Sequence, residues 1–182
     1  MSLPWFPTPP APEAEPVLDR AVPGALVRAG AAVLVTTMLL VAWSAAWPVG
    51  PVTVLVMVLA GVLTGLLPSP ARVGVALLAA GVLVLVGGPA SVVRTLTLVL
   101  LVHLVVWASA TAGRVTWRMR VELGVLRDGL ADVARVQVGA QTLAVVALVV
   151  GGRDLAAGDV VRVVAILAAA AVAAVVLPRS GD

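Results

Sequence analysis

No acidic residue occurs between Asp19 and Glu122, and between Arg28 and Arg114 the only charges are Arg72 and Arg94. A soluble fold of this length has to cover its surface with polar groups. Ordinary soluble domains devote about 25% of their residues to charge; this chain of 182 residues carries 12%, against 62% hydrophobic and a mean hydropathy of +1.15. The apolar side chains therefore face lipid.

Six apolar runs follow a proline-rich start: Ala29–Trp47, Val52–Leu67, Val73–Gly88, Thr95–Gly113, Val136–Gly152 and Val163–Leu177. A helix crosses the hydrocarbon core with about 20 residues, and about 17 is the lower end. Pro and Gly at 48–51, 68–70 and 87–89 place turns between the first four runs. The expected fold is an all-α integral membrane protein with six transmembrane helices, arranged as four spans, an amphipathic connector and two spans. Residues 1–23 hold seven of the thirteen prolines and are expected to form a disordered cytoplasmic tail. Residues 24–113 form the four-span region, 114–135 the connector, 136–178 a two-span hairpin and 179–182 a short tail.

The connector Arg114–Arg135 is the long charged interval. Its apolar residues Val115, Met119, Leu123, Leu126, Leu130 and Val133 recur at steps of three or four, the period of one helix face. Two roles fit that stripe. The helix lies in the headgroup layer, with Arg114, Arg118, Arg120 and Arg127 toward anionic lipid and Trp117 as an interfacial anchor. Alternatively the stripe meets a protein partner or a second copy as a short coiled coil.

Six spans place nine arginines on one side and Arg94, Arg153 and Arg162 on the other. The positive-inside rule makes the nine cytoplasmic, with both termini. Lys, Asn and Tyr are absent and Ile occurs once. These residues have AT-rich codons, so a GC-rich bacterial genome and a bacterial cytoplasmic membrane are inferred. The arginines are not gathered with stacking aromatics, which excludes a nucleic-acid partner.

Candidate chemistry is sparse. Cysteine is absent and histidine occurs once, which leaves no disulfide and no zinc site. The segment Asp128-Gly-Leu-Ala-Asp-Val-Ala-Arg135 resembles the acidic motif of membrane CDP-alcohol phosphotransferases. Its AR pair is displaced, however, and no aspartate lies between Asp132 and Asp154 to complete a two-metal site. No catalytic, cofactor-binding or metal-ligating residue is assigned. A possible intramembrane polar site comprises His103, in the middle of the fourth run, with Gln137 and Gln141, four apart on one helix face. Read structurally, His103 ties helices together through Thr36, Thr37, Thr53, Thr64 or Gln141. Read functionally, it lies on a solute or proton path. Gly61 and Gly65, like Ala76 and Ala80, have the small-residue spacing of closely packed helices.

The chain is expected to be a non-catalytic scaffold or accessory subunit of a membrane assembly, partnered by the bilayer and by a protein or a second copy through 114–135. The alternative is a small transporter or channel subunit with His103 near its path.

Overall fold

The computed structural model describes residues 20–44, 46–87 and 91–151. In chain order these form β1 (Ala21–Pro23), α1 (Gly24–Trp43), α2 (Pro51–Leu66), α3 (Pro70–Val86), α4 (Val92–Arg114), β2 (Arg120–Glu122) and α5 (Leu123–Gly151). Local chemistry sets the helix starts. Pro51 and Pro70 open α2 and α3, where the missing N–H costs nothing and the ring presets φ. Ser69 and Ser91 cap α3 and α4 by accepting from the backbone N–H of Arg72 and Arg94.

The core lies along the α1–α4 seam. Val35 and Met38 of α1 and Val105 of α4 are fully buried. Ala31 packs on Ala108 and Ala112, so the start of α1 meets the end of α4 and the two helices run antiparallel. Helix α2 lies against α1 where Gly61 and Gly65 remove the side chain: a Cβ on Gly61 would stand 2.5 Å from the Ala32 carbonyl, and one on Gly65 2.8 Å from that of Arg28. Ala76 and Ala80 face the same core from α3. The spacing of small residues thus serves packing within the chain.

These findings correct the expectation of six transmembrane helices. Five helices occur among the described residues, and two of them, α1 with 20 residues and α4 with 23, are long and apolar enough to cross a membrane. Helices α2 and α3 have 16 and 17 residues. At about 1.5 Å per residue they reach about 24–26 Å, short of a hydrocarbon core of about 30 Å. The prolines at 51, 68 and 70 that make the turns also set those limits. The sixth run, Val163–Leu177, and the tails 1–19 and 179–182 lie outside the described residues.

The connector is also corrected. Helix α4 ends at Arg114, Val115 is extended, and a turn leads into β2. Strand β2 pairs antiparallel with β1, Ala21 opposite Glu122, Val22 opposite Val121 and Pro23 opposite Arg120. Gly24 N–H donates to the Met119 carbonyl at 2.7 Å and Leu123 N–H to that of Arg20 at 2.9 Å, extending the ladder at both ends. Residues 20–23, expected in the disordered tail, are thereby ordered. The remaining connector residues run without a break into the fifth apolar run as the 29-residue helix α5. The helical period of the stripe is broken because Arg120, Val121 and Glu122, which lie inside it, find backbone partners in β1.

Candidate functional site

An open groove of about 950 Å³ lies between α4, the 115–122 hairpin and α5. Its walls are Val106 and Ala110 of α4 and Val125, Leu126, Val133 and Val136 of α5. Gly129 lets the two helices close on the indole of Trp107: a Cβ there would stand 2.6 Å from Trp107 Nε1. The Nε1 edge of the ring therefore meets α5 at Gly129. Arg114, Arg120, Glu122 and Asp132 supply charge to the lining, and His103 lies on it farther along α4.

His103 Nδ1 lies 2.8 Å from the Val99 carbonyl in the same helix. A carbonyl only accepts, so Nδ1 carries the proton in this contact and the ring spends it locally. No hydrogen bond joins His103 to a threonine of another helix among the described residues, and Thr36 Oγ1 reaches instead to the Met57 carbonyl of α2 at 3.4 Å as well as to its own helix. Thr36, Thr37 and Thr64 donate to the carbonyls of Ala32, Val33 and Ala60, each at 2.9 Å. Gln141 Nε2 donates to the Leu96 carbonyl at 2.9 Å, crossing from α5 to α4.

Gln137 is 9% exposed, and neither its amide oxygen nor its nitrogen meets a partner among the described residues. Gln141 Oε1 and Ser109 Oγ are likewise buried without a partner. Structure therefore splits the expected polar site. Gln141 is a helix-to-helix link, Gln137 a buried amide without a partner among the described residues, and His103 a groove residue.

The five residues expected to form one lipid or partner surface also separate. Arg114 and Arg120 line the groove. Arg127 lies beside Arg20 in a small cleft on the other side of Glu122. Arg118 is exposed in the turn before β2. Trp117 lies under the guanidinium of Arg28, 5.0 Å from ring centroid to Cζ. Asp132 pairs with Arg135, the one ion pair among the described residues, so the guanidiniums of Arg114 and Arg120 are without a carboxylate partner there.

Sequence reasoning missed Arg28, Trp107 and Gly129 as organising residues. Gly129 carried the one available signal, a glycine inside a helical pattern at a point of close approach. Among the described residues no group of three or more His, Asp or Glu gathers to hold a metal ion. No family model, curated protein or solved structure matches the chain.

Proposed function

We propose that this protein is a membrane-embedded, non-catalytic component that scaffolds or serves a larger membrane assembly. One observation carries that reading: large apolar side chains point outward from four helices. Val52 of α2, Leu78 and Leu85 of α3, Val93 of α4 and Val138 of α5 are each more than two-thirds exposed. Soluble monomers rarely expose contiguous apolar patches beyond a few hundred Å². Lipid removes the penalty, because acyl chains are as apolar as the side chains they cover.

A cytoplasmic orientation for the hairpin end is supported by charge. Arg20, Arg28, Arg72, Arg114, Arg118 and Arg120 sit at that end of the bundle, on the start of α1, the start of α3, the end of α4 and the hairpin. Arg94 sits at the opposite end, where its Nη2 donates to the Ser44 carbonyl at 3.3 Å. Such an imbalance supports an inside position for the rich end, and the bacterial cytoplasmic membrane is the location that fits the residue usage. A role without chemistry accords with the lack of any carboxylate between Asp19 and Glu122 to serve a proton relay or an ion path.

Fractionation tests the reading. The protein should stay with membranes through an alkaline carbonate wash and leave them only in detergent, bringing a partner that is lost on charge reversal of Arg118, Arg120 and Arg127. Recovery in the aqueous fraction without detergent would overturn it. A transport role has one observation in its favour, the imidazole of His103 on the groove. Solute flux in vesicles that vanishes in His103→Ala, with the folded level unchanged, would replace the scaffold reading.

A further inference from the structure

Resting on the membrane reading, we propose that the groove between α4 and α5 is a binding site for one anionic phospholipid, its phosphate held by Arg114 and Arg120 and an acyl chain laid along the apolar walls. The groove is of ligand size: about 950 Å³, near the upper end of the roughly 300–1,000 Å³ typical of small-molecule sites.

Its polarity is graded along its length. Arg114 ends α4 and Arg120 opens β2, so both guanidiniums stand at the hairpin end. From there the walls are mostly apolar as far as His103, with Ala110 and Val106 on α4 facing Val125, Leu126 and Val133 on α5. Thr111 and Asp132 are the polar residues among them. At about 1.5 Å per residue that run along α4 is about 16 Å. A phospholipid has the same gradient, a charged head and an apolar tail. The arginine-rich end is also the end that the membrane reading places at headgroup level, so lipid and groove align in depth as well as in polarity.

Charge selects the class of head. Arg114 and Arg120 are exposed and without a carboxylate partner among the described residues, while Asp132 is engaged by Arg135. Glu122 is the one lining carboxylate left over, so the head faces two guanidiniums against one acid. Guanidinium forks match phosphate oxygens in bidentate geometry. The walls need cover: Val106 and Val136 are about half exposed and Val125 is 62% exposed, all inside the groove. An acyl chain supplies that cover without polar atoms that would need partners.

Native mass spectrometry of the full-length protein in detergent tests the proposal, with dioleoyl-phosphatidylglycerol and dioleoyl-phosphatidylcholine as probes. The glycerol lipid should bind preferentially at a stoichiometry of one. Arg114→Gln with Arg120→Gln should weaken it about tenfold or more, since each removes a charged hydrogen-bond donor. Arg94→Gln, at the opposite end, should leave it unchanged. Ala110→Trp, an exposed position that the indole would fill, should displace the lipid while keeping both arginines and the melting temperature.

Equal binding of the two lipids would overturn the proposal, as would an Arg114→Gln/Arg120→Gln effect no larger than that of Arg94→Gln. So would a high-yield disulfide between Ala110→Cys and Ala169→Cys within one chain, or between two copies of Ala110→Cys, because the chain or its copy would then fill the groove. A protein that needs detergent yet is indifferent to lipid charge defeats this site alone. A protein that needs no detergent defeats the membrane reading beneath it.

Discussion

Arg28 and Val115, 87 positions apart, are joined by two hydrogen bonds: Nε donates to the Val115 carbonyl over 2.9 Å and Nη2 over 2.8 Å. The third guanidinium nitrogen, Nη1, donates to the Leu66 carbonyl at 3.1 Å. Leu66 is the last residue of α2 and Val115 the C-cap of α4. Helix C-termini leave carbonyls without intrahelical partners, and one side chain on α1 serves both ends while stacking on Trp117. The charge that marks topology in the sequence is thus also the tie that gathers three elements at the arginine-rich end.

Arg28→Ala should therefore cost about 2–3 kcal/mol, since it removes charged donors and strands two helix-end carbonyls. Arg28→Lys keeps the charge but not the fork and should recover part of that loss. Thermal melts in detergent, followed by circular dichroism, check both. Equal melting of the alanine variant and the parent would show that the tie contributes nothing.

Glycines on α2 and α3 should respond in opposite directions. Gly61→Ala and Gly65→Ala drive a methyl into α1, toward Thr36 Oγ1 and the Ala32 carbonyl in one case and toward the Arg28 carbonyl and Ala32 Cβ in the other. Overpacking of that kind costs about 1–3 kcal/mol. Gly81→Ala meets nothing within 4 Å and should be neutral or stabilising by up to about 1 kcal/mol, the helix-propensity gain. The same melts decide, and a stable Gly61→Ala protein would show that α2 does not rest on α1 as described.

The two glutamines should also part company. Gln137→Met removes a buried amide that has no partner among the described residues and should leave stability unchanged or raise it. Gln141→Met removes the donor to Leu96 and should cost about 0.6–1 kcal/mol, typical of hydrogen bonds between membrane helices. Stabilities measured in mixed micelles with a graded denaturing detergent would separate them. A larger loss for Gln137→Met would mean that its amide serves a partner.

The sidedness proposed from the split of arginines is open to direct labelling. The chain has no cysteine, so single substitutions report cleanly. Val49→Cys, in the exposed loop between α1 and α2, should react with an impermeant maleimide in intact cells. Thr116→Cys, in the exposed hairpin, should react only after permeabilisation. The reverse pattern would invert the orientation.

Much of the helical organisation was legible in the residues alone. The starts of α2 and α3 fall at Pro51 and Pro70, and α4 starts at Val92 behind the cap Ser91, three residues before its apolar run. What misled was taking every apolar run as a full span. Val52–Leu67 reads as oil, but it numbers 16 residues, and the prolines on either side keep the helix from growing past that length. The connector misled for a different reason. Its apolar residues keep a helical step, yet Val115 is buried as the C-cap of α4 while Met119 and Leu123, on either side of β2, are exposed, so the three share no helix face.

The sequence by itself determined where the turns between the first four helices fall, where α2 and α3 start, and which end of the bundle collects arginine. Those properties are local: a proline, a cap or a run of valines acts through its immediate neighbours. Only the tertiary structure decided that Val22 pairs with Val121, that Arg28 reaches the ends of α2 and α4, and that α4, the hairpin and α5 leave a groove between them. Such relations join residues far apart in the chain, and their energy depends on which surfaces meet. Periodicity within a segment carries no record of that.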